Sequence, residues 1–96
     1  MSDRITERQL HSPTNHINEL TGSPKESYSK QKDGHYKANV GNYHLDCAYG
    51  GYNLSQMVND GGGITQPIGG GYHTKRELYN KLHAFIRGID VGKELK

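Results

Sequence analysis

The chain has 96 residues, a formal net charge of +2, one cysteine and an apolar fraction of 31%. Such a length gives a single domain, residues 1–96, with a small core, and makes a homo-oligomer that shares its core the expected assembly. A lone cysteine excludes an internal disulfide, and the polar start and the lack of any apolar run near ~20 residues predict a cytoplasmic chain with no signal peptide and no membrane partner.

In chain order, Thr6 and Gln9 form a capping-box pattern that opens a helix. Ile5, Leu10, Ile17 and Leu20 give it a thin apolar stripe. Pro13 predicts either a kink or a second short helix capped by Ser12. Gly22 and Pro24 predict its end. Strands are expected at residues 28–31 and 35–40, joined by the Asp33-Gly34 turn. Gly41-Asn42 and Gly50-Gly51 are further turn candidates, with strands over 43–49 and 52–58. Residues 59–71 read as a glycine-rich loop. Thr74 and Glu77 make a second capping box, and Leu78, Leu82, Phe85, Ile86 and Ile89 fall on one face of the helix that follows. Gly88 is its predicted end, and residues 1–4 and 90–96 are expected to fray. The fold class is therefore α+β: helix, an antiparallel meander of three or four strands, helix.

The middle of the chain differs from its flanks. From Ala38 to His73, 36 residues carry only two charges, Asp46 and Asp60, yet hold nine of the 13 glycines and four of the seven tyrosines. Backbone and flat aromatic faces dominate there, which points to a binding surface. Tyr43, Tyr49, Tyr52 and Tyr72 can stack on bases, although each also suits a sheet. Asn39, Asn42 and His44 add neutral polar contacts. Gly70, Gly71, His73, Thr74, Lys75 and Arg76 mark a helix start where amides, dipole and positive charge favour a phosphate. The spacing matches neither a P-loop nor a dinucleotide fingerprint.

Several chemistries find no players. His35, His44, His73 and His83 show no zinc-site spacing, so no metal or other cofactor is expected. If residues 43–49 form a strand, His44 and Asp46 share one face and Cys47 takes the other, which argues against a local Cys–His dyad. The expectation is a non-enzymatic protein.

The segments ANVGNYHLDCAYGGYNLSQMVNDGGGI and GYHTKRELYNKLHAFIRGI, with NELTGSP before them, resemble a group of small tailed-phage accessory proteins of unassigned function. The resemblance covers residues 5–89 and implies a host-facing role without catalytic residues. Three partner classes follow: a nucleotide-like, phosphate-bearing signal that the protein sequesters, a host defence protein that it inhibits, or a nucleic acid held by Lys25, Lys30, Lys32, Lys37, Lys75 and Arg76. The helix–strands–helix order is also that of double-stranded-RNA-binding domains, but their basic run is missing here.

Overall fold

Helix α1, Glu7–Thr21, opens with the expected box in the computed structural model, which describes residues 5–94. The Thr6 side chain accepts from the Gln9 amide, and the Gln9 side chain accepts from the Thr6 amide at 2.8 Å. Gly22 closes the helix, and Ser23 N–H reaches back to Asn18 O at 2.9 Å. Pro13 neither ends nor splits it: one helix runs through. Proline lacks the N–H that would bond the Gln9 carbonyl, at a cost of about 3 kcal/mol. Its buried ring lines a groove against the last helix, and that packing offsets the lost bond.

Five strands follow, β1 Tyr28–Lys30, β2 Tyr36–Ala38, β3 Tyr43–Ala48, β4 Gly51–Met57 and β5 Ile64–Thr65. The class is α+β in the expected order, but the strands divide into two antiparallel sheets, β1-β2 and β3-β4-β5. The break lies at residues 39–42. Asn42 N–H bonds Asn39 O at 3.1 Å, closing a turn centred on Val40-Gly41. Gly41 has φ +97, donates to Met57 O and lets Met57 N–H reach Asn42 O, which is a glycine bulge. The turn sits one residue earlier than the Gly41-Asn42 pattern predicts. The bulge redirects the chain, so β2 does not pair with β3. β5 lies inside the glycine-rich stretch and pairs with β4 as Gln56↔Thr65 and Met57↔Ile64. Its two residues were too short a signal among glycines.

Helix α2, Lys75–Glu94, runs past Gly88 and includes residues 90–94. Residues 1–4, 95 and 96, also expected to fray, lie outside the described residues. One glycine costs a helix about 1 kcal/mol, less than a long amphipathic face recovers by packing. Lys93 Nζ donates to Leu20 O at 2.7 Å and ties this last turn to α1.

Register fixes which face is core. Tyr43↔Gln56, Leu45↔Leu54 and Cys47↔Tyr52 are directly opposed and share one face of the β3-β4 pair. That face meets both helices: Leu54 joins Leu10, Ile17, Leu78 and Leu82, all fully buried, with Tyr43, Leu45 and Tyr52 packed around them. His44, Asp46, Asn53 and Ser55 take the other face.

Candidate functional site

The sequence-selected residues separate into two groups at opposite ends of β3. At the first end, Asn39 and Asn42 are structural. Asn39 Nδ2 donates to Glu26 O at 2.9 Å. Buried Asn42 donates to Pro24 O at 2.8 Å and accepts from Ser27 Oγ at 3.0 Å. Both pin the segment before β1 to the turn after β2. Tyr43 is held through its backbone by Asn18, whose side chain accepts from Tyr43 N–H at 2.8 Å and donates to Tyr43 O at 2.9 Å. Its ring packs edge-on to Phe85 at 5.9 Å, in the core. His44 lies 3.2 Å from Asn42 Oδ1 through Nδ1. Burial holds its imidazole below the usual histidine range, against the opposing pull of Asp46.

The second end is the β3–β4 hairpin. Ala48 pairs with Gly51, leaving Tyr49 and Gly50 as a two-residue loop. Both have positive φ, 53 and 74, the type I′ geometry that matches strand twist. Asparagine-glycine is the usual choice; tyrosine in the left-handed region costs about 1–2 kcal/mol. Tyr49 is also 98% exposed, so no burial compensates. Its neighbour is the Tyr72 ring, 6.0 Å away at 63°, an edge-to-face pair.

Tyr72 is placed by Asn53, Asp46 and Ser55, to which the sequence alone gives no positioning role. Asn53, fully buried on the outer face, donates through Nδ2 to Gly69 O at 2.9 Å and Gly71 O at 2.5 Å, pulling the glycine segment across the sheet. Tyr72 OH then donates to Asp46 Oδ2 at 3.3 Å, and Ser55 Oγ reaches the same oxygen at 3.3 Å. Loss of water around the phenol, with the Asp46 charge beside it, raises its pKa and keeps it a donor. Gly51 makes room: a Cβ there would stand 2.7 Å from Tyr72 Cβ. One signal was available, because Asp46 is one of two charges in a neutral stretch.

Beyond Tyr72 the chain crosses the sheet edge. His73 and Tyr52 exchange backbone bonds of 2.8 and 2.9 Å. Lys75 Nζ lies 5.8 Å from the Tyr52 ring centre, on the helix side of the sheet. The helix start is closed on itself: Thr74 N–H donates to Glu77 Oε1 at 2.9 Å, and Glu77 N–H donates to Thr74 Oγ1 at 3.1 Å. Those bonds hold the Glu77 carboxyl below its ordinary range, so a negative charge already sits at the helix N-terminus. Gly69 and Gly71 turn carbonyls, which are acceptors, towards Asn53. Gly70 and Arg76 are exposed in the same region.

No protein-family model, curated protein or solved structure matches the chain. The Tyr49–Tyr72 end is a projection, not a cleft. A groove of about 390 Å³ does open between the helices, lined by Gln9, Pro13, His16, Tyr79, His83 and Ile86 among others, none of them among the ligand-binding candidates chosen from the sequence. Among the described residues, no group of three His, Cys, Asp or Glu could hold a metal ion. Although Cys47 is exposed, partial loss of water around its thiol and the nearby Glu7 and Asp46 charges push its pKa up, away from the reactive thiolate. No helix among the described residues is long and apolar enough to cross a membrane.

Proposed function

We propose that this chain is a non-catalytic binding protein that docks on another protein through the β3–β4 hairpin end, with Tyr49 as the anchor and Tyr72 beside it. The observation that carries the reading is Tyr49: a large aromatic, 98% exposed, held in a backbone conformation that disfavours it. Strain without burial needs a use, and such residues gather at functional sites. Tyrosine is among the residues that dominate interface energetics. A projecting ring fits a partner's pocket, whereas small-molecule sites are concave. The resemblance to small tailed-phage accessory proteins makes the partner a host protein, and a defence effector inhibited by docking is the reading that unites the two.

A sequestered nucleotide is the alternative. Lys75 above Tyr52 favours it, because a cation and an aromatic face stand together. Against it, Glu77 and Thr74 already occupy the helix start.

The test compares the native chain with Tyr49→Asn and Tyr72→Ala as bait in bacterial lysates. A protein retained by the native chain and lost from both variants supports docking at the tip. Equal retention by all three baits contradicts it. Native mass spectrometry with added linear and cyclic nucleotides decides the alternative: a mass increment lost with Lys75→Ala would replace the docking reading.

A further inference from the structure

The β1–β2 hairpin is not explained by the fold. An isolated two-stranded hairpin is marginal in water and gains stability by packing a face. Here residues 28–37 are all exposed, and neither strand packs extensively on another element. Anchorage is at the base: Asn39 N–H bonds Ser27 O at 2.9 Å, Ala38 N–H bonds Asp60 O at 3.1 Å, Lys37 pairs with Asp60 at 3.4 Å, and the Tyr28 ring lies against Gly62, where a Cβ would stand 2.9 Å from its hydroxyl. The tip is nevertheless well made. Gln31 N–H bonds His35 O at 2.7 Å, and Gly34 N–H bonds Gln31 O at 3.0 Å.

What this arm displays is specific. Register places Lys30 opposite Tyr36 and Tyr28 opposite Ala38, so Tyr28, Lys30 and Tyr36 share one face. Tyr28 is 49% and Tyr36 68% exposed. Residues 28–38 carry Lys30, Lys32 and Lys37 against Asp33, an excess of two in a chain whose net charge is +2. Asp33 stays exposed but is held locally at the turn: its carboxylate accepts from His35 N–H at 3.0 Å and lies 3.3 Å from His35 Nδ1. Among the described residues neither Lys30 nor Lys32 has a salt-bridge partner.

We infer that this hairpin is an arm that binds single-stranded nucleic acid, with Tyr36 stacking on an unpaired base and Lys30 and Lys32 on adjacent phosphates. An exposed aromatic ring beside unpaired lysines is the combination such strands require. A duplex keeps its bases stacked and could use the lysines alone. The surface is independent of the Tyr49 end, so either reading can fail without the other.

Fluorescence anisotropy with labelled single-stranded DNA, single-stranded RNA and duplex DNA tests this on the native chain, Tyr36→Ala and the double variant Lys30→Gln/Lys32→Gln. All the substituted side chains are exposed, and circular dichroism checks that the fold survives. Tyr36→Ala is expected to weaken single-strand binding about tenfold. The salt slope should fall by about 0.7 for each lysine removed. Binding of either DNA or RNA supports the arm, and the tighter one names the sugar it prefers. The inference is overturned by no single-strand binding at about 50 mM salt, by binding indifferent to Tyr36→Ala, by an unchanged salt slope in the lysine variant, or by tighter binding of the duplex.

Discussion

Tyr49 separates what the fold needs from what the surface does. Asparagine tolerates the left-handed region and suits the first loop position of a type I′ turn. Tyr49→Asn loses one aromatic contact, about 0.5–1.5 kcal/mol, and relieves about 1–2 kcal/mol of backbone strain. Its unfolding midpoint in urea is therefore expected at or above that of the native chain; a clear fall would mean that the ring is structural. Gly51→Ala does the converse, because its Cβ would meet Tyr72 Cβ at 2.7 Å. The Tyr72–Asp46 bond should break, which a loss of the Tyr72 contribution to near-ultraviolet circular dichroism would show. His44 gives a pH dependence. Its folded pKa lies below the ordinary 6.5, so the unfolded chain binds protons more readily. The stabilisation is complete above about 6.5 and is lost as pH falls through the folded value. Urea midpoints measured from about pH 7 to pH 5 should fall, and His44→Gln should flatten that slope.

At the scale of elements, both helices were legible because capping boxes and apolar periodicity are local. Thr6 with Gln9 and Thr74 with Glu77 form as the sequence predicts. Helix α2 outran Gly88 because tertiary packing outweighs one residue's propensity. The two-sheet split was not legible, since the bulge at Gly41 depends on pairing with Met57, 16 positions away. The site shows the same divide. Tyr49 and Tyr72 were two of four tyrosines that the charge-poor stretch brought forward on equal terms, and their pairing rests on buried Asn53, which looks like any strand asparagine until its carbonyl partners are seen. Asn53→Ala removes the shared donor of the Gly69 and Gly71 carbonyls, at about 0.5–1.5 kcal/mol for each hydrogen bond lost. Hydrogen exchange should accelerate across residues 66–73 and leave α1 unchanged; uniform acceleration would mean that the loop is not a separate unit.

At the scale of the whole molecule, the core is small: among the described residues, five fully buried hydrophobics unite one sheet and two helices. The remaining chain is turned outward into two projections, a strained aromatic tip and a basic hairpin, in a flat body 50 × 39 × 23 Å across. A shape with much surface and little interior suits recognition better than chemistry in an enclosed site. The most direct measurement of the docking claim is calorimetry between the purified captured protein and two versions of this chain, native and Tyr49→Asn. An anchor residue predicts a loss of about 2 kcal/mol or more, near thirtyfold in affinity, with stability undiminished. Equal affinities would show that the tip does not carry the interaction.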